Sequence, residues 1–198
     1  MMKLTTSIRR AIFLLAAFAL IVHASLAFTT TPHRALSAPV AAQPDISVNG
    51  FLSTDRAQRG ATVQAAVVME IPDGYHVNSS RPLGKFAIPT TVKVEAPGGV
   101  RVGPVTYPRA VVRKFNFSEE RLAVYEGNSV MRFNVTVPAN FQSGDAQLRV
   151  RVRYQSCNDE ACFQPVTRDV TIPLNIVGAN ESVRRINNQY FGGRRRGK

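Results

Sequence analysis

From Leu148 to Tyr154 the chain reads Leu-Arg-Val-Arg-Val-Arg-Tyr, with Leu148, Val150, Val152 and Tyr154 alternating against Arg149, Arg151 and Arg153. Successive side chains of a strand point to opposite faces, so this stretch reads as a β-strand with one apolar and one charged face. Such a strand is covered on one side only, as in antiparallel sheets. Other short runs follow the same rule. Ile46 to Leu52 is the first candidate strand, and Val63, Ala65, Val67 and Met69 mark a second. Thr91 to Glu95 alternates around Val92 and Val94, and Val100 to Tyr107 ends at Pro108. Leu122 to Tyr125 and Val130 to Val137 flank a turn at Glu126-Gly127-Asn128, and Val170, Ile172 and Leu174 close the set. Short alternating runs with turn residues between them, and no long helical pattern, predict a mostly β chain folded as an antiparallel β-sandwich.

The two ends differ from this body. Lys3, Arg9 and Arg10, the apolar run from Ala11 to Val22 and the small residues of Ser25-Leu26-Ala27 form the three parts of a secretory signal peptide over residues 1–27. The apolar run is shorter than the ~20 residues of a membrane span. Residues 28–44 lack periodicity and read as a flexible linker, which leaves 45–178 as the folded domain. Val183, Ile186 and Tyr190 have helical spacing, with Asn180 as a candidate cap, so a short C-terminal helix and a basic tail are expected over 179–198. The net charge of +12 gathers at these ends, in Lys3, Arg9 and Arg10 and in Arg184, Arg185, Arg194, Arg195, Arg196 and Lys198. It therefore gives no reason to expect nucleic-acid binding; the tail suits weak contact with an anionic membrane or envelope polymer.

The chain has two cysteines, Cys157 and Cys162, and a leader that sends it to an oxidising compartment. A disulfide needs Cα atoms within about 7 Å. Five residues of straight strand span roughly 16 Å, and a helix would rotate the pair by about 140°. A tight turn does bring them together, and Asn158-Asp159 supplies turn chemistry. The strand at Leu148–Tyr154 should thus run into a hairpin end with a cysteine on each side. Such a bond could exchange with other thiols, act as a local staple worth about 2 kcal/mol, or serve with Met69 and His76 in copper or zinc delivery. Zinc wants four ligands, and His23 and His33 fall in the leader and linker, so no metal or other cofactor is expected. Asp159 and Glu160 disfavour a thiolate, unless Arg153 or Lys114 offsets them.

The run from Tyr154 to Thr167, Tyr-Gln-Ser-Cys-Asn-Asp-Glu-Ala-Cys-Phe-Gln-Pro-Val-Thr, resembles the cysteine motif of the N-terminal domain of DsbD, the transmembrane thiol:disulfide interchange protein. Asp73-Gly74-Tyr75-His76-Val77-Asn78, Ile88-Pro89-Thr90, Tyr107-Pro108 and Leu122-Ala123-Val124-Tyr125-Glu126-Gly127 resemble further motifs of that family, in order, from about Asp45 to Val177. The resemblance implies an immunoglobulin-like sandwich in the bacterial periplasm, with Cys157 and Cys162 as the exchanging pair. It implies partners among periplasmic thioredoxin-fold or membrane thiol–disulfide proteins. It also implies a shielding loop whose aromatic residue is Phe115 or Phe117, with Tyr75 and Tyr154 as candidate lining residues. The chain departs from the family in having four residues rather than five between the cysteines, and Gln164-Pro165 where Pro-Pro is common. The family's transmembrane and thioredoxin-like domains are missing, so a separate electron donor is expected. The competing expectation is a non-catalytic binding or adaptor module that keeps a structural disulfide.

Overall fold

The computed structural model describes residues 43–192. The expected signal peptide, nearly all of the linker and the basic tail from residue 193 lie outside the described residues. Twelve strands and one short helix fall in three antiparallel-rich sheets. The first sheet runs in the order β1 (Ser47–Leu52), β3 (Thr62–Glu70), β9 (Asn128–Thr136) and β6 (Arg101–Val102). The second runs β2 (Ala57–Gln58), β12 (Val166–Val177), β10 (Gly144–Tyr154) and β5 (Thr91–Glu95). The third, at one end, runs β11 (Ser156–Cys157), β4 (His76–Asn78), β8 (Arg121–Tyr125) and β7 (Val111–Lys114).

The alternation does what it predicts. In β10, Leu148, Val150, Val152 and Tyr154 are all buried while the three arginines are exposed. They meet Val63, Ala65, Val67 and Met69 of β3, Met131, Phe133 and Val135 of β9, and Ile172, Leu174 and Ile176 of β12 in one core. Gly50 of β1 lies against β12: a Cβ there would land on Ile172 Cγ1, with Cδ1 at 2.9 Å. The missing side chain is what lets these two strands approach.

Three expectations need correcting. The run from Val100 to Tyr107 is not one strand: β6 covers two residues, and after Gly103 and Pro104 only Thr106 rejoins, bridging Arg132. Proline has no N–H to give a ladder. The C-terminal helix α1 spans only Asn188–Phe191 and begins after Asn187, not at Asn180. Before it the chain is held extended: Ile186 N–H donates to Ser53 O, Asp55 N–H donates to Arg184 O, and the Arg184 guanidinium pairs with the Asp55 carboxylate at 3.0 Å. Cross-chain bonds to β1's exit segment thus outbid helical spacing. Lastly, β7 and β11 of the third sheet were not expected, because four residues or fewer give no readable period, whereas β4 falls in the Asp73–Asn78 motif, a strand in the family the chain resembles.

Gly50→Ala should destabilise the domain by about 1–3 kcal/mol through overpacking against Ile172. The check is a lower urea midpoint with an unchanged slope.

Candidate active site

The cysteine pair is built from the backbone up. Asn158 N–H donates to Ala161 O at 3.0 Å and Phe163 N–H donates to Ser156 O at 2.8 Å. These two bonds flank Cys157 and Cys162, which therefore sit directly opposite each other at a non-hydrogen-bonded position, where cross-strand side chains come closest. Their Cα atoms are 3.9 Å apart and the sulfurs are bonded. Asn158 shapes the turn: its Oδ1 accepts the N–H groups of Glu160 at 2.9 Å and Ala161 at 2.8 Å. The hairpin end expected from the spacing is present, in the loop between β10 and β12.

Gln155 fastens this hairpin to its surroundings. Its backbone O accepts Asn78 N–H, its Oε1 accepts Asn78 Nδ2 at 3.0 Å, and its Nε2 donates to Phe163 O at 3.1 Å. Register then fixes what lies beside the sulfurs. Cys157 pairs with His76, Asn78 with Val124, and Arg113 with Leu122. Directly opposed residues share a face. His76, Cys157, Asn78, Val124 and Leu122 therefore line the outward face of the third sheet, while Val77 and Tyr125 on its other face enter the main core.

The outward face is roofed by the segment after β7. Phe115 packs with Leu122 and Val124 and is 7% exposed; Phe117 packs against the same group. The His76 ring stacks on Phe115 at 4.0 Å between centroids, and Phe115 on Phe117 at 5.5 Å. Lys114 Nζ donates to the carbonyls of Ser118 and Glu119 and closes the roof on itself.

The two sulfurs differ in exposure. Cys157 has no accessible surface, whereas Cys162 is exposed. Cys162 opens on a cavity of about 270 Å³ lined also by Phe86, Phe117, Glu120 and Gln155. Phe86 in this lining is 88% exposed although apolar, and Leu83, three positions earlier in the chain, is 59% exposed. A second cleft of about 540 Å³ is lined by Tyr75, His76, Arg113, Phe115, Glu126 and Asp159, among others.

His76 is 2% exposed and its Nε2 has no hydrogen-bond partner, which costs about 1–3 kcal/mol for a buried polar group. Burial holds its imidazole below the usual histidine value; Glu126 and Asp159 pull it back up and Arg113 adds to the lowering. Arg113 in turn donates twice to the Glu126 carboxylate, at 2.8 Å each, and holds that carboxyl below its usual value. The cation near the turn is thus Arg113. Lys114 is turned to its own loop, and Arg153 lies on the charged face of β10.

Of the residues singled out in the sequence, Phe115 and Phe117 stand beside the pair, and Tyr75 reaches its far arm through Phe163, 6.1 Å between centroids. Tyr154 does not stand there: it is 1% exposed in the main core, where it packs. Met69 is likewise fully buried in that core, far from a ligand's exposure. Among the described residues no group of three or more His, Cys, Asp or Glu side chains could hold a metal. Asn78, Gln155, Leu83 and Phe86 were missed, because their importance comes from pairings across the chain.

The structure is thus a β-sandwich that carries a short-loop disulfide with one sulfur buried and one at the surface. The chain belongs to the family of the thiol:disulfide interchange protein DsbD, N-terminal domain, whose sequence model matches residues 49–174. The resemblance and the immunoglobulin-like, nearly all-β fold expected from the sequence are both borne out. The chain is similar to the Neisseria meningitidis DsbD N-terminal domain in its reduced form, at 17% identity and TM-score 0.41, over 65% of this chain and 85% of that one. It is also similar to the N-terminal periplasmic domain of ScsB from Proteus mirabilis, at 12% identity and TM-score 0.44, over 72% of this chain and 51% of that one. A search of curated proteins finds no match. No helix among the described residues is long and apolar enough to cross a membrane.

Because the folded His76 binds its proton less readily than the unfolded one, stability should fall as pH drops from about 7 to about 5. His76→Phe keeps a ring on Phe115 and should flatten that slope in urea melts. The Glu126 and Asp55 carboxyls, also held low, lose their contribution only below about pH 4.

Proposed function

We propose that this chain is a periplasmic thiol–disulfide interchange protein that passes electrons to or from partner proteins through Cys157 and Cys162. The observation that carries the reading is the unequal exposure of the two sulfurs. An incoming thiolate attacks the sulfur it can reach, Cys162 Sγ, and expels Cys157 as the leaving thiolate. A mixed disulfide between Cys162 and the partner results. The partner's second thiol then attacks its own sulfur in that bond and releases Cys162, leaving the pair reduced by two electrons. The same steps run backwards when the reduced pair meets an oxidised partner.

Family membership supports the chemistry, and the exposed apolar ring of Phe86 beside Cys162, with exposed Leu83 three positions earlier in the chain, supports a protein partner. A thioredoxin-fold or membrane thiol–disulfide protein would bury them as its cysteine approaches. Phe115 and Phe117 shield the bond from other thiols. The signal peptide expected from the sequence and the family to which the chain belongs support the compartment. The basic tail adds a weak hold on anionic surfaces. Neither metal nor cofactor is needed.

Equilibration with glutathione or dithiothreitol buffers should give a reduction potential between about −180 and −270 mV. A value below about −300 mV marks a structural bond and favours the adaptor reading. In a Cys157→Ser chain, Cys162 should trap a thioredoxin-type partner as a stable mixed disulfide; Cys162→Ser should trap roughly tenfold less, because Cys157 is covered.

A further inference from the structure

The structure holds the bonded form of the cysteine pair, in which neither sulfur carries a proton. In that form His76 Nε2 is buried and has nothing to bond. Cys157 is the residue opposite His76 on the neighbouring strand, and opposed residues project to the same face with Cβ atoms about 4.5–5.5 Å apart. Reduction creates a thiol proton at Cys157, which is as buried as the nitrogen. The residue that carries the orphaned nitrogen and the residue that gains the proton are thus directly opposed on adjacent strands. His76 is also the only histidine in residues 43–192.

We propose that His76 is the proton acceptor for Cys157: its unpartnered Nε2 takes the thiol proton when the reduced pair closes to a disulfide. The inference rests on the interchange reading and assigns the one group that reading leaves out. When Cys162 has formed a mixed disulfide with a partner, closure needs Cys157 as a thiolate. A thiol with no accessible surface cannot pass its proton to bulk water directly. Nε2 takes that proton; the Cys157 sulfur attacks Cys162 Sγ; the bond from Cys162 to the partner breaks. The partner leaves as a thiolate with the electron pair. The chain's pair is oxidised by two electrons, and the partner is reduced by two. The imidazolium then releases its proton toward the open cleft, where His76 forms part of the wall.

The surroundings suit this cycle. Phe115 stacks on the ring and fixes its plane. The charged groups that bear on His76 are Glu126 at the exit of β8, Asp159 in the cysteine turn and Arg113 of β7. Lys114 and Asp73 line the same cleft. The two carboxylates favour the transient imidazolium, while burial and Arg113 return it to the neutral base. A base with its pKa below the working pH is neutral and ready to accept a proton.

The test uses the reduced chain and an aromatic disulfide that releases a coloured thiolate. Attack by Cys162 releases one equivalent, and closure by Cys157 releases a second. In the wild-type chain the second release should follow an ionisation at or below about 6.5, the ordinary histidine value. In His76→Phe, which keeps the ring stack, the second release should slow by about 10²-fold, far more than the first. Its pH dependence should move to a thiol ionisation at or above about 8.5. A second release with the same rate and pH profile in both chains overturns the inference. If His76→Phe fails to fold, the wild-type profile decides alone: a single thiol ionisation near or above about 8.5 overturns it. Absence of even the first release overturns the interchange reading and this inference with it. A normal first release with an unassisted second overturns the inference only.

Discussion

Burial of Val77 and Tyr125 in the main core is what the candidate site depends on. The third sheet is too small to stand alone; β4 and β11 have three and two residues. An isolated two-stranded ribbon is marginal in water. By placing one face of β4 and β8 against the sandwich, these two side chains anchor the sheet and leave its other face to chemistry. His76, Asn78 and Cys157 then occupy fixed positions because their neighbours in sequence are packed on the opposite side. A period of two, useful for making a core, here also sorts structural residues from reactive ones.

How much of this was legible follows from length. β10 carries eleven residues and its alternation is unambiguous, so the sandwich could be read from Leu148 to Tyr154 and extended outward. The cysteine hairpin was legible for another reason: a four-residue gap leaves few geometries in which two sulfurs meet, and Asn158 selects one. The surroundings of the pair were not legible. Asn78 and Gln155 lie 77 residues apart and meet through one backbone and one side-chain bond. Nothing in the sequence near His76 points to Cys157; the register alone sets them opposite each other. Tyr154 errs the other way. Three positions from Cys157 in sequence, it is carried into the core by the strand's own alternation.

The short loop limits what the bond adds to the fold as a local staple. Closing so short a loop removes little chain entropy, about 2 kcal/mol. The Gln155 bonds hold the same segment independently. A bond that adds so little to the fold suits the proposed exchange, and the unequal exposure of its sulfurs gives an incoming thiolate one point of entry.

Asn158 adds one more consequence. Its Oδ1 bonds to Glu160 and Ala161, and the backbone bonds on either side of the cysteines, involve no sulfur. Breaking the disulfide therefore leaves the scaffold that opposes the two residues. Each thiol then faces the other at an effective concentration far above that of any thiol in solution, of the kind that well-oriented intramolecular reactions reach. Once Cys162 is joined to a partner, its nearest competitor for that bond is a residue five places back in its own chain. In the proposed exchange the hairpin would thus set a clock on each mixed disulfide, with the lifetime of the encounter written into a turn of four residues.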